Sequence, residues 1–266
     1  MKNTIRLLGL FIMNACLFSC SKNTIENNTT NSAGSQSIYT DSVFYVKGTA
    51  DFFVSPAQPR AGTYFSFPDG LALNETTGVI NVNKSDAGLK YRVSFVETGK
   101  KDTLTNFITI SGINYLDGFY NLAKGDSILK PVYNADKNAA VPGINNGTTF
   151  DVDLALNSQG CKVNATSAEI NLAQTVRNGV FGGTPSNNDR HEFEMTYRIN
   201  DNSSLATNRL KVKLYFFNSM SEVTPEAFDI IASRQGTIIG PGNTTPAPLA
   251  LKAAKPRPPC IFIVGR

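Results

Sequence analysis

Apolar and polar residues alternate in several stretches of this chain, a period of two that sends every second side chain to the same face of a β-strand. The alternation is cleanest at Phe193, Met195, Tyr197 and Ile199 and again at Leu210, Val212, Leu214 and Phe216, joined through Asn200-Asp201-Asn202-Ser203-Ser204. These two runs predict a long hairpin with one buried face. Upstream, Val43 to Val46, Tyr64 to Phe67, Tyr91 to Val96 and Leu104 to Ile110 are β-branched or aromatic runs bounded by Gly, Pro, Asn or Asp. They predict a sandwich from about Ser37 to Gly112. Helical signals are few. Thr224-Pro225-Glu226 offers an N-cap, a proline at the first helical position and an early acid ahead of Phe228, Ile230 and Ile231, which predicts one short helix. Leu172 to Val180 reads equally as strand or helical turn. Beyond Gly240, Pro241, Pro246, Pro248, Pro256, Pro258 and Pro259 predict extended chain. Ile261-Phe262-Ile263-Val264 could then add an edge strand somewhere or hang free.

One segment recurs. Gly70-Leu71-Ala72-Leu73-Asn74-Glu75-Thr76-Thr77-Gly78-Val79-Ile80-Asn81 aligns without a gap on Gly160-Cys161-Lys162-Val163-Asn164-Ala165-Thr166-Ser167-Ala168-Glu169-Ile170-Asn171. Each copy reads as a strand, an Asn-containing turn and a second short strand, since Asn can close an Asx-turn and Gly78 tolerates positive φ. A hairpin that recurs without common ancestry is the alternative reading.

The first copy, continued through Val82, Gly88, Tyr91, Val93, Phe95 and Val96, resembles the Ig-like, cadherin-like repeats of bacterial surface proteins. Their hallmark is Pro-x-Gly-Leu-x-Leu-Asn-x-x-Thr-Gly-x-Ile, then Gly-x-Tyr and an alternating strand. Pro68 to Ile80 matches this run, whereas Gly88-Leu89-Lys90-Tyr91 is spaced differently. The second copy departs further: Ala168 stands at the turn glycine, and no Pro-x-Gly-Leu opening precedes Asn164. The resemblance implies modules that bind or space and do not catalyse.

The N-terminus carries a different pattern. Lys2 and Arg6 precede an apolar stretch from Leu7 to Leu17, too short to span a bilayer and readable as a cleavable export signal. Leu17-Phe18-Ser19-Cys20 resembles the lipobox of bacterial lipoproteins, and Cys16, preceded by Met13-Asn14-Ala15, fits it poorly. The resemblance implies that Cys20 is the lipid-attachment residue and the first residue of the mature chain. Two or three acyl chains, at roughly 0.8 kcal/mol per buried methylene, make such an anchor effectively permanent. Ser21 to Ser37 is rich in Ser, Asn, Thr and Gly with only Ile25 apolar, too little to offset ordering entropy, and reads as a tether. Envelope lipoproteins of the Bacteroidetes type often carry acidic residues after the cysteine. Ser21-Lys22-Asn23 is not acidic, so outward and periplasmic orientations both stay open.

Composition narrows the function classes. The formal charge of +4 loses Lys2 and Arg6 with the signal, and Lys252, Lys255, Arg257 and Arg266 lie beyond Gly240 without an acid. The body between is close to neutral, which argues against nucleic-acid binding. Cys161 and Cys260 are candidates for a disulfide in an oxidising compartment, with two separate thiols as the alternative. Two cysteines and the single histidine, His191, make a zinc site improbable. Any histidine-dependent catalysis must run through His191, which sits between Arg190 and Glu192 at a predicted strand end and reads as solvated. Asp151 with Asp153, and Glu192 with Glu194, are carboxylate pairs on single strand faces. Such pairs could serve hydrolysis but equally form the polar side of an amphipathic strand. Asn200-Asp201-Asn202 has the composition of a calcium junction but sits inside a hairpin, so a turn is the better reading. The chain has no Trp, and Tyr115, Phe119, Tyr120 and Tyr133 read as packing residues more than as a sugar platform.

The expected fold class is mainly β: two β-sandwich-like, Ig-like domains in tandem, with one short helix near the end of the second. The expected order is signal peptide 1–19, tether 20–37, Ig-like domain 38–112, second β-rich domain 113–240 and Pro-rich basic tail 241–266. This describes a non-enzymatic envelope lipoprotein, most simply at the outer membrane, held by its acyl chains and presenting modules to a glycan or protein ligand. It takes no cofactor and no metal and binds no nucleic acid. The alternative is a structural or assembly subunit of an outer-membrane complex. Replacing Cys20 with Ser is expected to abolish fatty-acid labelling and move the chain from the membrane to the soluble fraction; undiminished labelling would overturn the assignment.

Overall fold

Each half of the chain builds the same arrangement of strands. The computed structural model describes residues 37–234 and 258–265, and these all belong to one compact unit. The first half contains β1 (Val43–Phe44), β2 (Phe53–Val54), β3 (Gly62–Phe67), β4 (Ile80–Asn81), β5 (Leu89–Glu97) and β6 (Thr103–Ile110). A four-stranded sheet runs in the order β1-β6-β5-β3, and β2 pairs with β4 separately. The β5–β6 and β3–β5 pairs are antiparallel, whereas β1 lies parallel to β6. Tyr64, Tyr91, Val93, Phe95, Ile108 and Ile110 point from this sheet into a core with Tyr39, Ile80 and Val82.

The second half contains β7 (Ile113–Tyr115), β8 (Gly118–Asn121), β9 (Ile128–Leu129), β10 (Pro131–Tyr133), β11 (Thr149–Phe150), α1 (Ala155–Ser158), β12 (Ile170–Asn171), α2 (Leu172–Arg177), β13 (Asp189–Arg198), β14 (Thr207–Phe217), α3 (Pro225–Arg234) and β15 (Cys260–Val264). Here a five-stranded sheet runs β11-β13-β14-β15-β8, flanked by the small pairs β9–β12 and β7–β10. The predicted hairpin is β13–β14, antiparallel over its whole length, with Phe193, Met195, Tyr197, Val212 and Leu214 buried. Leu172 to Arg177 is helical because the Asn171 side chain caps it, accepting from the Gln174 amide at 2.8 Å. The predicted late helix is α3, which buries Ala227 and Ile230.

The repeated segments share the hydrogen bonds that close their turns. Asn74 Oδ1 accepts from the amides of Thr76 and Thr77, and Asn164 Oδ1 from those of Thr166 and Ser167. Leu73 bridges to Ile80, and Val163 to Ile170. The Tyr39 hydroxyl donates to the Gly78 carbonyl at 2.6 Å, and that of Tyr115 to the Ala168 carbonyl at 2.5 Å. Ala168, the departure from the repeat pattern, takes the same left-handed conformation as Gly78, with φ of 60° against 71°. A Cβ at Gly78 would come within 2.6 Å of Pro56 and Tyr64, so glycine is needed there for space as well as conformation. The duplication also extends outward: β2–β4 matches β9–β12, β3 matches β11, β5–β6 matches β13–β14, and β1 matches β8.

Within the five-stranded sheet, β15 is the strand without such a counterpart. The expectation of an edge strand or a free end for Ile261 to Val264 gives way to an interior one. β15 lies between β14 and β8, parallel to both, with Ile261 opposite Leu214 on one side and Gly118 on the other. All five of its residues are buried. Ile261 and Ile263 enter the large core that holds Ile113, Tyr115, Phe150, Met195 and Val212. Cys260 and Phe262 face the other way, into a layer of Tyr215, Phe217, Ala227 and Ile230 beneath α3. A continuous apolar run is what a strand covered on both faces requires, so no alternation marked it as such. Ile263→Ala should lower unfolding stability by about 2–5 kcal/mol, read by urea denaturation. A loss under about 1 kcal/mol would show that the strand is not packed as described.

Candidate functional site

The residues proposed for chemistry fall into structural roles or onto the surface. Cys20 lies outside the described residues. β11 ends at Phe150, and Asp151 turns out of the strand with φ of 52°. Asp151 therefore does not share a strand face with Asp153; its carboxylate caps α1, accepting from the Leu156 and Asn157 amides at 3.0 and 3.1 Å. Asp153 is exposed. Glu192 and Glu194 do lie on the polar face of β13, opposite Lys213 and Lys211, with Arg209 3.5 Å from Glu194. His191 sits on the apolar face of that strand, half-buried, with its ring 6.4 Å from Phe193 and its Nε2 buried without a hydrogen-bond partner. It is therefore less solvated than its charged neighbours suggest.

Cys161 and Cys260 are not bridged. Both are buried thiols, and they occupy opposite sides of the five-stranded sheet, Cys161 in the large core and Cys260 in the layer under α3. Burial pushes the Cys161 thiol up to about 12.

Asn200-Asp201-Asn202 forms a turn with a specific task. Asp201 Oδ2 accepts from the Tyr133 hydroxyl at 2.8 Å and the Ser111 hydroxyl at 3.0 Å, and Oδ1 accepts from the Ser203 amide. Lys47 Nζ donates to the Asn202 carbonyl at 2.8 Å, and Ala206 inserts into the first-half core. The tip of the β13–β14 hairpin thus clasps the two halves together. Sequence composition marked it as a turn, but only the fold shows what the turn holds.

The aromatic residues near the middle of the chain are packing residues. Tyr115 and Tyr133 are buried, Tyr120 packs against the large core, and Phe119 lies 5.0 Å from Phe228 and 5.3 Å from Phe262. A partly exposed aromatic row lies elsewhere. Phe67, Arg92 and Phe107 are direct register neighbours across β3, β5 and β6, on the face opposite the core. The Arg92 guanidinium stands 5.6 Å from the Phe67 ring centroid, and Lys90 Nζ stands 5.6 Å from that of Phe107. Phe65 lies in the next row beside Ser94. In the second half the matching face carries Tyr215, Phe217 and Phe262 and is covered by α3. Among the described residues the first half has no α-helix over this face, and Phe107 is 36% exposed. Period-two counting from the buried Tyr91, Val93, Ile108 and Ile110 places Arg92 and Phe107 outward, so the signal was present in the sequence.

At one end of the same strands lies a cavity of about 160 Å³ lined by Arg60, Phe95, Glu97, Lys100, Asp102 and Leu104. Arg60 is 3.5 Å from Glu97, and its guanidinium lies 5.2 Å from the Phe95 ring, with Nε buried and unpartnered. Gly62 makes this possible, since a Cβ there would fall 2.5 Å from the Phe95 ring. The arrangement offers aromatic faces and cationic donors, suited to binding by stacking and hydrogen bonding. Among the described residues no cluster of three or more His, Cys, Asp or Glu could hold a metal ion, and no helix is long and apolar enough to cross a membrane. Comparison with known proteins finds no matching family model and no matching curated protein.

Burial dominates the ionisation of the tyrosines. It pushes Tyr120 and Tyr215 up to about 12, and Tyr91 and Tyr115 well above their ordinary value. The folded protein therefore holds these protons more tightly than the unfolded chain, whose tyrosines ionise near 10. Their contribution is intact below about pH 10 and is lost as pH rises beyond it. Circular dichroism and tyrosinate absorbance should change together above that point. Full tyrosine titration with the fold retained would contradict the packing.

Proposed function

We propose that the chain is a lipid-anchored envelope lipoprotein, held by acyl chains on Cys20, that presents two Ig-like modules for adhesion or ligand binding without catalysis. The observation that supports the binding role is the partly exposed row of Phe67, Arg92 and Phe107 with Lys90 over the Phe107 ring, whose equivalent in the second half is covered by α3. The shared hydrogen-bond pattern of the two repeats supports a tandem of related modules. Flat rings beside cations suit glycans carrying anionic groups, or acidic protein surfaces. A modular body behind a tether at a membrane is the setting in which such a face meets extracellular or periplasmic ligands.

The second reading, a structural or assembly subunit of an outer-membrane complex, draws its support from the C-terminal strand, because an extended segment that completes a sheet is a common means of joining proteins. A glycan and matrix-protein binding screen on the chain from Ser21 onward separates the two readings. The binding role predicts a hit that Phe67→Ser combined with Phe107→Ser weakens at least tenfold, with an unchanged melting curve. Hits indifferent to both substitutions, or no hits at all, would move the weight to assembly.

A further inference from the structure

The turn ends of the two long hairpins finish differently. At the end of β13–β14, Asp201 bonds to Ser111 and Tyr133. The space left there, beside Ser111, Tyr197, Ile199 and Ala206, is about 10 Å³, room for about one water. At the end of β5–β6 the cavity lined by Arg60, Phe95, Glu97, Lys100, Asp102 and Leu104 is about 160 Å³. By the same measure it has room for about ten waters, the space of a single sugar ring.

Strand register builds this cavity. Phe95 and Leu104 are direct partners across β5 and β6, and Val96 and Thr103 pair one step nearer the turn. Alternation then returns Glu97 and Asp102 to the side of Phe95 and Leu104. The last row of the core is therefore apolar, and the next is a pair of carboxylates. Gly62 is the register partner of Glu97 on β3; a Cβ there would strike the Val96 carbonyl and the Phe95 ring. Arg60 completes the wall, its guanidinium 5.2 Å from the Phe95 ring and 3.5 Å from Glu97. Lys100 Nζ reaches the other Glu97 oxygen at 2.9 Å, and its amide donates to the Glu97 carbonyl at 3.0 Å.

This wall selects by charge and by shape. Arg60 and Lys100 balance Glu97 and Asp102, and Glu97 already holds both cations. A charged ligand would face like charges and have to break an ion pair to gain a partner. A hydroxyl meets neither cost, because it donates to a carboxylate and accepts from a cation. Two adjacent hydroxyls match the acceptor and donor groups that stand side by side at Glu97. Arg60 Nε is buried with no hydrogen-bond partner, a cost that an accepting ligand oxygen removes. Phe95 and Leu104 supply the apolar surface on which the C–H groups of a sugar ring pack.

We propose that this cavity binds one uncharged sugar residue, with neighbouring hydroxyls bridging Glu97 and Asp102 to Arg60 and Lys100. The inference rests on the ligand-binding reading above but uses a different surface from the Phe67, Arg92 and Phe107 row.

The test uses the full chain in a detergent without sugar headgroups. Methyl glycosides of glucose, galactose and mannose are titrated and followed by saturation-transfer NMR, with glucuronate and glucosamine as charged counterparts of the same size. At least one methyl glycoside should bind saturably with a Kd of about 1 mM, as expected for so small a ligand. Leu104→Trp, which fills the cavity and leaves the polar wall in place, should weaken binding at least tenfold with an unchanged melting curve. Arg60→Gln should do the same, and it decides the matter if Leu104→Trp melts early. Phe107→Ser should leave the affinity unchanged. No saturable binding by any of the three glycosides, tighter binding of glucuronate or glucosamine, or an affinity indifferent to a folded Arg60→Gln would overturn the site. Loss of binding with Phe107→Ser alone would place it on the outer row and overturn the cavity too. An empty cavity beside screen hits that Phe67→Ser and Phe107→Ser weaken would overturn this inference and leave the binding reading standing.

Discussion

The parallel pairing of β15 with both β14 and β8 is the constraint on which the second half depends. Ile261 and Ile263 supply one face of the strand to the main core, and Cys260 and Phe262 supply the other to the layer under α3. Without them the long β13–β14 hairpin would lose its neighbour on one edge, and α3 would lose part of the surface it covers. Unpaired backbone amides and carbonyls in that position are costly because water cannot reach them in the folded body. The last strand in sequence is therefore among the first requirements of the fold.

A repeated local arrangement organises the rest of the architecture. Each half uses an Asx-type turn closed by Asn74 or Asn164 and a tyrosine from an early segment bonded to the turn carbonyl, followed by a hairpin that carries the sheet. The copies then diverge where function or assembly can act. One sheet carries a partly exposed aromatic row beside Arg92 and Lys90. The other admits an extra strand and closes its outer face with α3. Asp201 and Lys47 hold the two together at the hairpin tip, so the halves need not share a continuous core.

Much of this was legible from residue patterns. Strands that alternate, such as Phe193 to Ile199 and Leu210 to Phe216, declare both their existence and their buried face. The Thr224-Pro225-Glu226 start of α3 was equally readable, because capping chemistry is local. What escaped was non-local. Asp151 looks like a strand residue until the backbone turns at φ of 52° to let it cap α1. Ile261 to Val264 carries no alternation because both of its faces are covered, and nothing in five apolar residues says where they pair. A Cys161–Cys260 bridge was compatible with an oxidising compartment but not with a sheet that separates the two thiols.

The most direct test of this account is to end the chain at Arg257 and restore the missing strand as a synthetic peptide of residues 258–266. The truncated protein should unfold at markedly lower urea concentration or lose its cooperative transition, and saturating peptide should return the transition toward that of the intact chain. A truncated protein as stable as the intact one, and indifferent to the peptide, would show that the C-terminal strand does not complete the sheet.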